Sequence, residues 1–141
     1  MGKRIELNNA EETIALGEEI GKHWKPNQIL ALQGDLGAGK TTFVQGLLAG
    51  LGIQDAAQSP TFTYLQIYEE KVYHFDLYRL QSEQDFRALG FEEFFFNGGY
   101  AVIEWPERIS SILPPETELV QLEHCSGGRK ATITTWGHRE I

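Results

Sequence analysis

Basic residues, cysteines and long apolar runs are all scarce in this 141-residue chain, and each scarcity closes off a class of function. Twelve Lys and Arg stand against 20 Asp and Glu, a net charge of −8. The basic residues adjoin one another only at Lys3-Arg4 and Arg129-Lys130, so no stripe exists to grip a phosphate backbone, and direct nucleic-acid binding by the chain alone is not expected. The lone cysteine, Cys125, excludes an internal disulfide framework, and no Cys/His group has zinc-ligand spacing. A reducing, cytoplasmic location fits. No apolar run approaches the ~20 residues that span a bilayer, and the N-terminus lacks a basic-then-apolar leader pattern, so a soluble, unexported protein is expected. The length suits one domain, residues 1–141, with one core.

What is present alternates between strand and helix. Residues 5–7 read as a short strand ending at Asn8-Asn9. Asn9 with Glu12 three residues on resembles a capping box opening a helix whose buried stripe is Ile14, Gly17, Ile20 or Gly21, and Trp24. Lys25-Pro26 should stop that helix. Ile29-Leu30-Ala31-Leu32 is a continuous apolar run, as in a strand buried on both faces of a parallel sheet. After a glycine-rich stretch, residues 40–51 read as a helix with Phe43, Leu47, Leu48 and Leu51 inward and Gly52 as its stop. Residues 61–68 and 72–78 look like a hairpin across Glu69-Glu70-Lys71. Ser82 with Asp85 starts a short helix ended by Gly90, the aromatic run 91–96 makes an apolar turn, and residues 100–105 form a third buried strand. Residues 118–125 and 130–136 look like a closing hairpin, joined by Ser126-Gly127-Gly128-Arg129.

The strongest chemical signal is Gly34-Asp35-Leu36-Gly37-Ala38-Gly39-Lys40-Thr41, which matches G-x-x-x-x-G-K-[ST] between an apolar strand and an amphipathic helix. Glycines there let backbone N–H groups turn toward phosphate oxygens, and the helix beginning at Lys40 points the positive end of its dipole at the same anion. Lys40 then reaches the outer phosphates and the Thr41 hydroxyl ligates Mg²⁺. A second signal is Tyr100-Ala101-Val102-Ile103-Glu104, an apolar strand ending in a carboxylate. Glu104 is either a metal-reaching acid beside the phosphate loop or a solvated strand end. The third is His74-Phe75-Asp76-Leu77-Tyr78-Arg79, where period two places His74, Asp76 and Tyr78 on one face. Asp76 either organises metal and water or belongs to a structural pair with Arg or His. In Ser59-Pro60-Thr61-Phe62, the hydroxyls either follow the nucleotide state or serve a turn.

Other features read as structural: the 126–129 stretch as a hairpin turn, His23, His124 and His138 as surface groups without partners, Phe91, Phe94, Phe95 and Phe96 as core contacts with one or two exposed, and Arg79 and Arg108 as salt-bridge residues.

Taken together, residues 34–42, Ser59-Pro60-Thr61-Phe62, His74-Phe75-Asp76-Leu77-Tyr78-Arg79 and Glu104-Trp105-Pro106-Glu107 resemble, in order and spacing across nearly the whole chain, the bacterial TsaE family of small P-loop ATPases. The resemblance implies ATP and Mg²⁺ as cofactors and a role in forming threonylcarbamoyladenosine at position 37 of tRNAs that read codons beginning with adenine. The TsaB–TsaD complex is the implied partner. Carried onto this chain, it makes Lys40 the phosphate lysine and Thr41 a Mg²⁺ ligand. The loop from Gly34 to Thr42, with Asp35, Leu36, Gly37, Ala38 and Gly39, becomes the phosphate cradle. Thr61 is the loop threonine, Asp76 and Glu104 the metal- and water-organising acids, and Trp105 a neighbour of the nucleotide. No guanine-selecting N-K-x-D occurs.

The fold expected is a three-layer α/β P-loop NTPase domain, with a central, mostly parallel sheet and antiparallel hairpin strands. The activity expected is a Mg²⁺-dependent ATPase, weak without its partner. Two rivals are a P-loop kinase acting on a small molecule or nucleoside, with Asp76 as base, and a nucleotide-dependent binding module whose hydrolysis is incidental.

Overall fold

The computed structural model describes residues 2–35, 39–54, 57 and 64–139. β1 (Lys3–Leu7) leads into Asn9, which has an extended backbone and whose side-chain Oδ1 accepts the Glu12 N–H at 2.9 Å, so α1 (Ala10–His23) starts with one orphan amide satisfied. Glu12 returns the contact by accepting the Asn8 N–H at 2.9 Å, one residue earlier than a strict capping box. β2 (Ile29–Gly34) and α2 (Lys40–Gly50) follow. β3 (Leu65–Tyr68) and β4 (Val72–Asp76) form the expected hairpin, turning through Glu69 and Glu70 at φ 49 and 57.

β4 stops two residues short of the expected boundary because the Asp76 carboxylate accepts the Tyr78 N–H at 3.1 Å, a local bond that competes with the ladder. α3 (Glu83–Ala88) is capped by Ser82, which accepts the Asp85 N–H at 3.1 Å. A 3₁₀ turn (Phe91–Phe95) leads to β5 (Tyr100–Glu104), which ends before Trp105 because that residue turns to φ 59. After the 3₁₀ turn Pro106–Ile109, β6 (Glu118–Cys125) and β7 (Gly128–Thr135) make the closing hairpin, with Gly127 at φ 83 in its turn.

The seven strands of the described residues join one mixed sheet in the order β1-β7-β6-β2-β5-β4-β3. The inner strands β6, β2, β5 and β4 are parallel, and antiparallel pairing is confined to the two flanks. Period-two alternation splits the core between the faces. Leu30, Leu32, Val72, Val102, Val120 and Leu122 pack with Phe43, Leu47 and Leu48 of α2 and with Trp24, while Ile29, Ala31, Phe75, Ile103 and Leu119 pack with Phe86, Phe95, Ile109 and Trp136. Burial on both faces explains the uninterrupted apolarity of β2. Phe75 centres the second cluster, 5.4 Å from the Phe91 ring and 6.0 Å from that of Phe95, whereas Phe96 is 67% exposed.

The helices α1 and α2 run side by side on the first face, and their contact is made by glycine. A Cβ on Gly17 would lie 2.4 Å from the Phe43 carbonyl oxygen, one on Gly21 2.5 Å from that of Leu47, one on Gly46 2.3 Å from that of Ile14 and one on Gly50 2.3 Å from that of Glu18. Two reciprocal Gly-x-x-x-Gly stripes therefore set how closely α2 approaches the rest of the fold. The start of α2 is thereby placed over the carboxyl ends of the parallel strands, where open α/β sheets bind ligands.

Candidate functional site

α2 differs from α1 and α3 at its start. Its N-cap is Gly39, at φ 99, with no side-chain cap, whereas Asn9 and Ser82 cap α1 and α3 with their own oxygens. The first-turn amides of α2 thus have no protein acceptor from a cap and face outward with the positive end of the helix. Such an end receives an anion. Leu36, Gly37, Ala38 and Thr61, with the rest of residues 59–62, lie outside the described residues. Gly34 ends β2, Asp35 follows it, and Thr41 and Thr42 occupy the first turn of α2, Thr41 exposed and Thr42 half-buried.

Lys40 is buried, 8% exposed, and its Nζ lies 3.6 Å from Oε1 of Glu104, itself 4% exposed. A buried ammonium and carboxylate survive desolvation only when paired. The Lys40 ammonium also sits 4.7 Å from the centre of the Trp105 ring, which packs against the Tyr78 ring with centroids 4.8 Å apart and planes tilted by 51°. The left-handed backbone of Trp105 is an uncommon state for a bulky residue, and it swings the indole off the β5 line to this position.

Parallel pairing puts Asp76 directly opposite Glu104 at the ends of β4 and β5, so the two sequence-predicted acids meet. Burial holds the Asp76 carboxyl above its usual value, the Tyr78 N–H it accepts pulls it back, the Glu104 charge raises it and Lys40 lowers it. The alternative in which Asp76 pairs with a neighbouring His or Arg is not what forms. His74, fully buried, bonds through Nε2 to Glu104 Oε2 at 2.5 Å, and Tyr68 Oη meets its Nδ1 at 3.3 Å. Arg79 and Arg108 are exposed and form no ion pair with a described residue. His23 and His138 do have partners, Glu19 at 3.1 Å and the Thr135 hydroxyl at 2.8 Å.

One site neighbour has no signal in the local sequence. The hairpin turn expected over 126–129 is shorter, Ser126-Gly127 alone, because Gly128 and Arg129 already pair with Cys125 and His124; this turn stands at the carboxyl end of β6, and a Cβ on Gly39 would lie 3.2 Å from Nη1 of Arg129. Arg129 also borders a cleft of about 290 Å³ with Asn8, Asn9 and His124. A second cleft, of about 230 Å³ beside Gly34 and Trp105, is lined by the carboxylates of Asp35, Glu107 and Glu123, which repel a polyphosphate. A further concavity, about 220 Å³, lies at the opposite end of the sheet beside Trp24 and Glu118 and holds none of the predicted residues. Among the described residues no group of three His, Cys, Asp or Glu could hold a metal unaided. Two carboxylates and a hydroxyl do fit Mg²⁺ whose shell is completed by phosphate and water, because that ion takes few protein ligands.

The fold and site define a mixed α/β protein whose anion-receptive helix start, buried lysine and paired acids converge at the carboxyl edge of a parallel sheet. The family model described as threonylcarbamoyl adenosine biosynthesis protein TsaE matches residues 7–132. The chain is 42% identical over 133 residues to the tRNA threonylcarbamoyladenosine biosynthesis protein TsaE of Treponema pallidum, covering 92% of this chain and 98% of that protein. It is 39% identical to the protein of the same name from Bacillus subtilis, over 93% and 84% of the two lengths. A crystal structure of Bacillus subtilis YdiB superposes with a TM-score of 0.82 at 33% identity, over 99% of this chain and 88% of that one. The chain belongs to the TsaE family, whose members are named for tRNA threonylcarbamoyladenosine biosynthesis. Among the described residues no helix is long and apolar enough to cross a membrane.

Proposed function

We propose that this protein is a P-loop NTPase that binds and hydrolyses ATP with Mg²⁺, and that its hydrolysis serves threonylcarbamoyladenosine formation on tRNA in the cytoplasm together with the TsaB–TsaD complex. The observation that carries the reading is the uncapped start of α2 with buried Lys40 held 3.6 Å from Glu104. Phosphate oxygens offer acceptors to Lys40 and to the first-turn amides of α2, which no N-cap side chain caps, and Lys40 moving to phosphate frees Glu104 Oε1. Gly34, Asp35, Leu36, Gly37, Ala38, Gly39 and Thr42 complete the cradle, and Arg129 adds a second cation beside Gly39.

Thr41, Glu104 and Asp76 would hold Mg²⁺, which supplies charge neutralisation between the phosphates. Asp76 and Glu104 orient the attacking water from adjacent strand ends, Trp105 and Tyr78 shield Lys40 from solvent, and Thr61 answers the nucleotide state. The chain positions charges and does no covalent chemistry itself. Its acidity routes contact with tRNA through the partner complex.

Lys40→Ala and Glu104→Ala should each lower phosphate release at least tenfold, about 1.4 kcal/mol of barrier, measured with and without TsaB–TsaD. Near-wild-type turnover in both variants would overturn the reading. Transfer of phosphate to an acceptor alcohol in place of water would support the kinase rival. Full tRNA modification by an ATP-binding, hydrolysis-dead Glu104 variant would support the binding module.

A further inference from the structure

The proposed mechanism uses Glu104 but leaves unexplained what holds it. We propose that His74 is the positioning residue for the Glu104 carboxylate and that Tyr68 in turn fixes the His74 ring; this rests on the reading of Glu104 as the acid that meets Mg²⁺ and water.

The placement follows from register. On β4, Val72 and His74 face α2, and parallel pairing sets His74 beside Val102 and one step short of Glu104. His74 is 0% exposed and Tyr68 2% exposed, so neither polar group has water to satisfy it. An ionised carboxylate only accepts, so the hydrogen in the 2.5 Å bond to Glu104 Oε2 is on His74 Nε2. The other ring nitrogen, Nδ1, meets the Tyr68 hydroxyl at 3.3 Å, and because a hydroxyl both donates and accepts, that contact holds the ring whichever of the two atoms carries the hydrogen. The Tyr68 and His74 rings lie 26° from parallel with centroids 6.1 Å apart, which restrains ring rotation.

One oxygen of Glu104 is thereby fully engaged from behind, and the other, Oε1, is turned toward Lys40 and the start of α2. Without the Nε2 donor the carboxylate can rotate and give both oxygens to Lys40. The lysine would be held back from phosphate, and no oxygen would be presented to a metal. A partner in this position commonly orients a metal-binding group. A histidine buried merely to fill the core would pack equally well as an apolar residue of similar volume. This one is distinguished by two directed bonds, one from each ring nitrogen, that link Tyr68 to Glu104.

The test is titration of the full-length protein with a fluorescent ATP analogue, mant-ATP, once with Mg²⁺ and once with EDTA, in wild type, His74→Met, His74→Gln and Tyr68→Phe, each first checked by circular dichroism. The readout is the ratio of the two affinities. In His74→Met the ratio should fall at least tenfold. His74→Gln keeps an N–H donor at similar reach and should recover to within threefold of wild type, and Tyr68→Phe should fall in the same direction by a smaller factor. A wild-type ratio in His74→Met, or a His74→Gln variant as defective as His74→Met, would overturn the assignment while leaving the MgATP reading intact. A wild-type protein with no Mg²⁺ dependence at all would overturn both. If His74→Met does not fold, the His74→Gln and Tyr68→Phe ratios decide.

Discussion

The glycine seam between α1 and α2 makes a prediction whose sign is informative. Gly46→Ala adds one methyl, and in an exposed helix that change stabilises by about 0.5–1 kcal/mol because glycine loses more backbone freedom on folding. Here the new Cβ would sit 2.3 Å from the Ile14 carbonyl oxygen, 3.0 Å from the Glu18 nitrogen and 3.0 Å from Gly17 Cα, whereas real Cβ atoms essentially never come inside 3.0 Å. Every one of these neighbours is backbone, so no side chain can swing aside and the helices must separate. Overpacking of this kind costs roughly 1–3 kcal/mol. After the propensity gain, the net loss should be about 1–2 kcal/mol, read in urea as a midpoint lowered by about 0.5–1 M with the slope unchanged. Because Lys40 is the first residue of α2, the displacement should also move its ammonium relative to Glu104 and weaken ATP-analogue binding. The double variant Gly17→Ala/Gly46→Ala should lose less than the sum of the single changes, since the two methyls press on one gap. A Gly46→Ala protein as stable as wild type, or more so, would refute the close-packed seam.

Two further predictions concern stability away from the site. Burial raises the Glu118 pKa above the usual 4.5, so the group favours the folded state while protonated and that contribution is lost as pH rises through its folded value. Glu118→Gln should therefore raise the melting temperature at pH 7, with the advantage shrinking as pH falls toward 4.5; a gain that is constant with pH would contradict the desolvation argument. Asn9→Ala removes the acceptor for the Glu12 N–H at 2.9 Å and should cost about 1 kcal/mol by denaturant unfolding, whereas Asn9→Ser should restore most of it. Equal stability of the Ala and Ser variants would show that the cap does not govern the start of α1.

Local chemistry determined a large part of this protein by itself. The cap at Asn9 with Glu12, the stop ahead of Pro26, the Ser82 cap and the two hairpins all follow from interactions within a few residues, and the structure places them as expected to within two or three residues at the hairpin turns. The motif from Gly34 to Thr41 is likewise contiguous, because a phosphate cradle is built from one turn of backbone. Asp76 and Glu104 were each singled out by the sequence, but their meeting rests on the parallel pairing of β4 with β5.

What only the tertiary structure decided depends on strand register and on helix packing. Period two placed His74 and Asp76 on one face but could not say that the histidine would be sealed against Glu104 while the aspartate stayed half-exposed at the strand end. Those partners are thirty positions apart, and parallel pairing alone brings them together. Arg129 reaches Gly39 because β7 lies beside β1 and its hairpin stands over the end of β6, a consequence of strand order and not of the turn residues. The spacing of Gly17 and Gly21 suggested a buried stripe, yet that four glycines on two helices fix the position of Lys40 is visible only once the helices are packed. Short-range bonds select the elements from the chain itself, whereas the charges that meet at the site are chosen by contacts between segments that only the folded sheet makes neighbours.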